Sequence, residues 1–153
     1  MNRRIHKRGF TFIEILVVIA IILILAAVAV VTFKNLDTTS SHRVVTQEVY
    51  STLTEAHNNS IASTDDSVYG VHFETDLITL FEGDTYNASD STNKEFVFTG
   101  GVYATSSLIT NSVDIVFKRL TGFPTATGAL HIVRSDGSAT STITIHGTGL
   151  IEK

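Results

Sequence analysis

A stretch of seventeen consecutive apolar residues, 15–31, constrains this chain more than any other feature. Extended back to Phe10, the stretch is interrupted only by Thr11 and Glu14. At about 1.5 Å of rise per residue, such a helix measures roughly 33 Å, enough to cross the roughly 30 Å hydrocarbon core of a bilayer. The sequence therefore predicts that residues 10–33 form a transmembrane helix.

Charges are distributed unevenly on the two sides of this stretch. Residues 1–9 contain four basic residues and no acidic one, whereas the rest of the chain contains 7 basic and 15 acidic residues. Basic residues concentrate on the cytoplasmic side of membrane helices, so this asymmetry predicts a cytoplasmic N-terminus and an exported C-terminal part. Because the chain has no cysteine, the exported part must be stabilised by its core and its neighbours rather than by disulfides.

A secretory signal peptide also begins with basic residues followed by an apolar run. Ala27-Val28-Ala29 fits the small-residue cleavage pattern, but Val30 and Val31 continue the apolar run beyond it. The run is also longer than the roughly 7–15 apolar residues of a signal peptide. The pattern therefore favours retention of the helix over its removal by signal peptidase.

The residues just before the apolar run form a specific motif. A basic residue, a glycine and a phenylalanine are followed by a glutamate at the fifth place after the glycine: Arg8-Gly9-Phe10-Thr11-Phe12-Ile13-Glu14. This motif, followed by a long apolar helix, resembles the class III leader of type IV pilins and pseudopilins. The resemblance implies that residues 1–9 are a leader peptide, that a prepilin peptidase cuts between Gly9 and Phe10, and that the new amino group of Phe10 is N-methylated.

The same resemblance implies a cellular location and a set of partners. The protein would be held in the inner membrane by a single pass, with its head exported, and would then enter a pilus or pseudopilus. Its partners would be the prepilin peptidase, the inner membrane and other pilin or pseudopilin subunits.

Glu14 is an acidic residue inside the apolar run. An ionised carboxylate in the hydrocarbon core costs about 2.5 kcal/mol or more on insertion scales, so intramembrane acids usually have partners. The nearest candidate is a free amino group on Phe10, and the pilin resemblance implies that in a filament this amine belongs to a neighbouring subunit. The alternative is a Glu14 near the membrane surface that reaches back to water. We predict that Glu14 is an assembly residue.

The helical pattern continues beyond the apolar run. Neither Gly nor Pro occurs anywhere between Phe10 and Tyr69. Residues at spacings of 4, 4 and 3 form one apolar face: Val45, Val49, Leu53 and Ala56. The sequence therefore predicts one long helix, or two collinear ones, from about Phe10 to Ile61. Its second half, residues 34–62, is amphipathic and packs through this face.

From Ser67 onward the hydrophobic period changes to two, and β-branched and aromatic residues dominate. Residues 82–93 are polar and predict a loop. The predicted strands are Ser67–Phe73, Leu77–Phe81, Glu95–Thr99, Val113–Lys118, Ala129–Arg134, Thr142–His146 and a closing strand at Leu150-Ile151. The predicted fold class is α+β, in which the long N-terminal helix packs on an antiparallel β-sheet head formed by residues 63–153.

The C-terminal third carries a second resemblance. It contains a strand at 113–117, a loop with Gly122 and Gly128, and two closing strands that end at Gly149. This arrangement is similar to the GspH/FimT type of pseudopilin. The resemblance implies a pilin-like fold and a structural subunit of a type II secretion pseudopilus or a type IV pilus.

The sequence predicts no catalytic, cofactor-binding or metal site, and hence no enzyme. Two of the scattered histidines, His131 and His146, could lie on adjacent strands, but without a nearby Asp, Glu or Cys they form an incomplete metal site. The acidic loop 82–90 offers oxygen ligands for Ca²⁺, but it lacks the spacing of an EF-hand, so a solvated loop is favoured over a Ca²⁺ site. The chain has no G-x-S-x-G motif and no cysteine nucleophile.

Two other functions compete with a structural subunit. Some FimT-like minor pilins bind DNA, so the first alternative is a competence minor pilin whose head binds DNA. Residues 35–153 contain 6 basic and 14 acidic residues, and a formal charge of −8 repels a phosphate backbone, which disfavours nucleic acid. The second is a single-span anchor that carries an adhesive β domain and is never processed. The sequence favours a structural pseudopilin or minor pilin over both.

Overall fold

The computed structural model describes residues 10–108 and 113–153, excluding the side chains of residues 28–39. The predicted leader, including Gly9, lies outside the described residues. The chain divides into two compact units, Met1–Asp37 and Thr38–Lys153. One α-helix, α1, runs through Phe12–Ala62. It begins two residues later and ends one residue later than the sequence pattern predicts.

The N-terminal part of α1 is an exposed apolar helix. Every described side chain from Phe12 to Ala27 is exposed, and the sequence there is apolar except for Glu14. The exposed fractions of Ile22 and Ile24, for example, are 59% and 65%. Within the described part of the chain, no helix combines the length and the apolarity needed to cross a membrane.

The second unit contains eight strands in two antiparallel sheets. The first sheet has the order β3-β2-β1-β5. Its strands are β1 Tyr69–Phe73, β2 Leu77–Glu82, β3 Lys94–Val97 and β5 Asp114–Phe117. The second sheet has the order β4-β6-β7-β8. Its strands are β4 Val102–Leu108, β6 Gly128–Arg134, β7 Thr140–Ile145 and β8 Ile151–Glu152.

The structure confirms the helix-plus-antiparallel-head fold and differs from the sequence prediction in two respects. The strand β4 was not predicted, because Thr105, Ser106 and Ser107 interrupt its apolar alternation with three exposed polar residues. The head also contains two sheets rather than one, since β4 pairs with β6 instead of with its sequence neighbours β3 and β5. The seven predicted strands lie within two residues of the observed ones.

A single hydrophobic core joins α1 to both sheets. Val45, Val49, Leu53 and Ala56 each have no exposed surface. They belong to one cluster with buried residues of the first sheet, such as Val71 and Phe117, and of the second, such as Leu130 and Ile143. Burial of a side chain of this size contributes about 1.5–3 kcal/mol. The face of α1 therefore fixes the two sheets around it.

Two buried polar residues extend this helix face at its ends. His42 Nε2 donates a hydrogen bond to the carbonyl of Ile132 on β6, at 3.1 Å. Ser60 Oγ accepts from the backbone N–H of Tyr69 at 2.9 Å, where β1 begins. Unpaired buried polar groups are costly, so these hydrogen bonds orient the helix on each sheet. His42 thus attaches α1 to the second sheet, and Ser60 attaches it to the first.

A glycine in the turn between β7 and β8, Gly149, lies in close contact with α1. Gly149 has φ +87°, and a Cβ there would lie 2.5 Å from the Gly122 carbonyl oxygen and 2.7 Å from His57 Nε2. The His57 ring in turn packs edge-on against Phe117, with ring centroids 5.4 Å apart. The C-terminal loop can approach the helix this closely only because position 149 has no side chain.

Gly149→Ala should therefore destabilise the head more than Gly137→Ala. Both glycines have a left-handed φ, and the backbone cost of about 1–2 kcal/mol is common to both variants. Of the two, Gly149 is crowded and Gly137 is not, since no atom lies within 4 Å of a Cβ placed at Gly137. Overpacking adds about 1–3 kcal/mol to the loss at Gly149. Urea unfolding of the two full-length variants in detergent measures the difference, and equal losses would contradict the close contact.

Candidate functional site

The start of α1 is built by a capping interaction between Thr11 and Glu14. Thr11 directly precedes the helix, and its Oγ1 accepts a hydrogen bond from the Glu14 backbone N–H at 3.3 Å. The Thr11 carbonyl accepts from the N–H of Ile15, also at 3.3 Å. Thr11 is therefore the N-cap of α1, and it stands at the T-x-x-E spacing of a capping box. Glu14 therefore occupies the first helical turn, where the positive end of the helix dipole favours a carboxylate.

Phe10 and Glu14 lie on the same side of this turn. Together with Ile15, Val18 and Ile19 they line one groove on the helix surface. Phe10 is 82% exposed, and Glu14 is also exposed. The surface combines an exposed aromatic residue, a carboxylate one turn away and a continuous apolar stretch. Such a large exposed apolar surface marks an interface with a membrane or with other chains.

The histidines of the head do not converge on one site. His131 lies on β6, where its Nδ1 is 3.1 Å from Thr142 Oγ1. His146 follows β7 and contacts Glu152 at 3.0 Å. Across residues 10–108 and 113–153, no group of three or more metal-ligating side chains is arranged to hold an ion.

The outer face of the first sheet contains a contact between a histidine and an aspartate that the sequence does not predict. His72 Nδ1 lies 2.5 Å from Asp114 Oδ1, and its ring stacks on Tyr86 with centroids 3.9 Å apart. The Tyr86 ring also contacts Phe81, at 5.6 Å between centroids. Tyr86 thus anchors the otherwise exposed loop of residues 83–93 to the sheet. The contacts are those of a packed surface loop rather than of a catalytic group.

The turn between β6 and β7 contains a carboxylate with a perturbed pKa. The Ser138 backbone N–H, 2.9 Å from Asp136 Oδ1, lowers the pKa of Asp136 below its ordinary value of 3.8, and the Ser138 hydroxyl adds to this. Arg134 contributes a smaller effect in the same direction through an ion pair of 2.7 Å. These contacts close the hairpin.

A lowered pKa gives a signed pH dependence. The Asp136 contacts stabilise the folded state at pH values above 3.8, and the contribution is lost as pH falls through the lower pKa of the folded state. Asp136→Asn should therefore be less stable than wild type at neutral pH, and the difference should shrink in acid. Thermal unfolding of both chains across this range tests the prediction, and a difference that grows in acid would contradict it.

Comparison with known proteins first defines the N-terminal region. Residues 4–30 match the prokaryotic N-terminal methylation motif. The match covers most of the leader, the Gly9-Phe10 step, Glu14 and most of the apolar run. The chain thus carries a prepilin-type motif, as the sequence predicts.

Comparison of structures then defines the fold. The chain is similar to the minor pseudopilin EpsH from the type 2 secretion system of Vibrio cholerae, with a TM-score of 0.57 and 16% identity over 73% of this chain and 94% of that one. It is also similar to the type IV minor pilin FimU of Pseudomonas aeruginosa, with a TM-score of 0.53 and 12% identity over 74% and 90% of the two chains. No curated protein sequence matches this chain. The fold is pilin-like.

Three residues that position α1 are not predicted by the apolar pattern of the sequence. Thr11 caps the helix, and the T-x-x-E spacing before an apolar run is its signal. His42 and Ser60 continue the helix face at spacings of 3 before Val45 and 4 after Ala56. Their polarity conceals them from a pattern of apolar residues, although their spacing places them on the same face.

Proposed function

We propose that this protein is a structural pseudopilin or minor pilin, assembled through α1 into a type II secretion pseudopilus or a type IV pilus. One observation carries the proposal: the prepilin-type motif at residues 4–30 includes an apolar helix segment, Phe12–Ala27, whose described side chains are all exposed. A soluble monomer would expose this surface to water at high cost. A bilayer before assembly, and neighbouring helices after it, would both cover it.

The proposed life cycle follows from the order of the segments. Residues 1–9 remain in the cytoplasm and are removed by a prepilin peptidase between Gly9 and Phe10, whose amino group is then methylated. Residues 10–33 cross the inner membrane once, and the span includes residues 28–33, whose side chains lie outside the described set. The head, residues 63–153, is exported together with the amphipathic half of the helix, 34–62. The charge asymmetry across the apolar run supports this orientation.

The proposed role of Glu14 is to pair with the Phe10 amine of a neighbouring subunit. Its position in the first turn, one turn from Phe10 on the same groove, supports this role. An exposed carboxylate in an apolar surface needs a cationic partner when that surface is buried. A free amino group on an adjacent subunit would supply one.

DNA capture by the head gains no support from the structural neighbours. EpsH is a minor pseudopilin of a type 2 secretion system, and FimU is a type IV minor pilin. Three of the head's cations, Lys94, Arg119 and Arg134, are already paired with carboxylates. The remaining cations cannot offset the acidic excess of residues 35–153.

Mass spectrometry of the protein from its native host tests the proposal. We expect a chain that begins at Phe10 and carries one added methyl group. In cells that lack the prepilin peptidase, the chain should begin upstream of Phe10 and should be unmethylated. A chain that keeps its leader in cells with the peptidase would refute the processing step and would favour the unprocessed anchor.

A further inference from the structure

Large apolar side chains are exposed where the end of α1, the β5–β6 loop and the β7–β8 turn meet. A Cβ placed on Gly122 would lie 2.8 Å from Ile61 Cδ1, and one placed on Gly149 would lie 2.5 Å from the Gly122 carbonyl oxygen. The three segments are therefore in direct contact. The exposed apolar residues on them, which we call the distal cluster, are Ile61, Leu120, Phe123 and Leu150.

Leu120 has a backbone conformation that is unusual for leucine. Its φ is +65°, in the left-handed region, where Cβ crowds the following carbonyl oxygen. Its N–H donates to the Ser60 carbonyl at 2.9 Å, which holds the β5–β6 loop on the last turn of α1. The side chain is nevertheless 65% exposed, so it contributes little to the core. Because glycine or asparagine would fit this conformation at lower cost, a strained and exposed leucine indicates a use outside the fold.

The distal cluster lies at the end of the head opposite to the point where α1 enters it. The helix enters the head unit at Thr38 and ends at Ala62. At about 1.5 Å per residue, this stretch of α1 measures about 37 Å. In the proposed assembly role, the lipid-embedded residues precede Thr38, at the other end of this stretch. The position of the distal cluster therefore disfavours a lipid ligand.

Polar groups beside the distal cluster are paired with one another. Arg119 Nη1 lies 2.7 Å from Asp66 Oδ1, and the Tyr69 hydroxyl donates to Asp65 Oδ2 at 3.2 Å. The α1–β1 connection and the β5–β6 loop together contribute two carboxylates and two cations, so they do not carry the acidic excess of the head. An apolar centre with a polar rim is typical of a protein–protein interface. These features favour a protein partner with an apolar contact surface.

The size of the distal cluster favours a partner that is already held nearby. Four side chains that are each about half exposed provide much less than the roughly 800 Å² per partner that a stable interface buries. Such a contact is weak between free molecules, but it becomes effective when a second interaction raises the local concentration of the partner. In the proposed filament, packing of α1 against neighbouring helices supplies that second interaction.

We propose that the distal cluster docks an apolar surface on the head of another pilin-type subunit, which lies beyond this head on the side away from the membrane. Leu120 is the central contact, because it is the most exposed member of the cluster and is held in a strained conformation. The inference rests on the proposed assembly role, since that role supplies the neighbour. It also gives this protein a position in the filament, because a subunit that carries another beyond it is not the terminal one.

Site-directed cross-linking tests the contact in the assembled state. The chain contains no cysteine, so Thr121→Cys places one photoreactive maleimide probe at an exposed position next to Leu120. In illuminated cells with an active assembly machine, we expect a product that joins this chain to the head of a different subunit with a prepilin-type motif. Mass spectrometry of the linked peptides identifies that subunit and the part of it that is joined.

A second substitution in the probe chain measures the contribution of Leu120. Leu120→Asn should lower the yield of the product about tenfold, which corresponds to ~1.4 kcal/mol. Val97→Asn is the matched control, because Val97 is 56% exposed on β3 and lies outside the distal cluster. The control should keep at least about half of the yield, since it leaves the docking surface intact.

Leu120→Asn also separates docking from folding. Asparagine tolerates the left-handed conformation, so the variant should unfold at the same urea concentration as wild type or at a higher one. Urea unfolding of the full chain in detergent measures this midpoint. A clearly lower midpoint would show that Leu120 serves the fold, and it would contradict the role assigned to its side chain.

The cross-linking experiment can also overturn the proposal. A product that joins two copies of this chain would assign the distal cluster to self-association, and a yield unchanged by Leu120→Asn would remove Leu120 from the contact. Leu16→Cys, which places the same probe on the exposed apolar part of α1, reports assembly independently. If Leu16→Cys gives a product and Thr121→Cys gives none, the docking surface is refuted while the assembly role stands. Absence of both products would refute both.

Discussion

Glu14→Ala is expected to leave the protein processed and inserted but to remove it from filaments. The variant lacks the carboxylate that would pair with the Phe10 amine of a neighbour, so the apolar helix keeps its membrane affinity but loses its partner in assembly. Loss of a pairing worth ~1.4 kcal/mol lowers incorporation about tenfold, and a larger loss is expected at low dielectric. Quantitative immunoblots of sheared filaments and membrane fractions measure the ratio.

Thr11→Ala provides the matched control for this prediction. It removes the cap that Thr11 Oγ1 provides to the Glu14 N–H, at a cost of about 1 kcal/mol to the helix start, but it keeps the carboxylate. Glu14→Ala keeps the N–H that this cap binds. If the carboxylate acts by pairing, Thr11→Ala assembles and Glu14→Ala does not. Equal defects in the two variants would instead assign the role of Glu14 to helix capping.

Leu53→Ala is expected to give a large loss of head stability, about 2–5 kcal/mol. Leu53 lies on the face of α1, has no exposed surface and belongs to the cluster that includes both sheets. A cavity there removes contacts from the helix and from both sheets together. Urea unfolding of the full chain in detergent, followed by circular dichroism, measures the change as a lower midpoint with an unchanged slope.

Leu150→Ala is the control, because it makes the same leucine-to-alanine truncation at a surface position. Leu150 is 54% exposed, so its truncation should cost about 0.5 kcal/mol or less. If Leu53→Ala and Leu150→Ala lose similar stability, α1 does not organise the core of the head.

The sequence predicts the elements of this fold better than their arrangement. The helix follows from the absence of Gly and Pro between Phe10 and Tyr69, and strands such as β1 and β6 follow from alternating apolar residues. The strand β4 does not, since its exposed middle is held by pairing with β6 rather than by its own pattern. The division into two sheets depends on long-range pairing, since β5 pairs with β1 rather than with its sequence neighbours β4 and β6. The local periodicity of the sequence does not encode pairing between distant strands.

The candidate site divides in the same way. The Gly9-Phe10 step and Glu14 are visible because their chemistry is encoded in adjacent residues. The hydrogen bonds of His42 and Ser60 are not, because their partners Ile132 and Tyr69 are brought to α1 only through the fold. Such contacts depend on how the helix packs on the sheets, which a pattern of apolar residues does not specify.

The central claim is that α1 assembles this protein with other pilin-type subunits. The chain contains no cysteine, so a single Leu16→Cys substitution places one photoreactive maleimide probe on the exposed apolar helix. Val45→Cys, at a fully buried site in the head, is the control. Illumination of cells with an active assembly machine should join the Leu16→Cys chain to a subunit that carries its own prepilin-type motif, and Glu14→Ala should abolish the product. If a processed Leu16→Cys chain gave monomer and no cross-linked product, the claim would be contradicted.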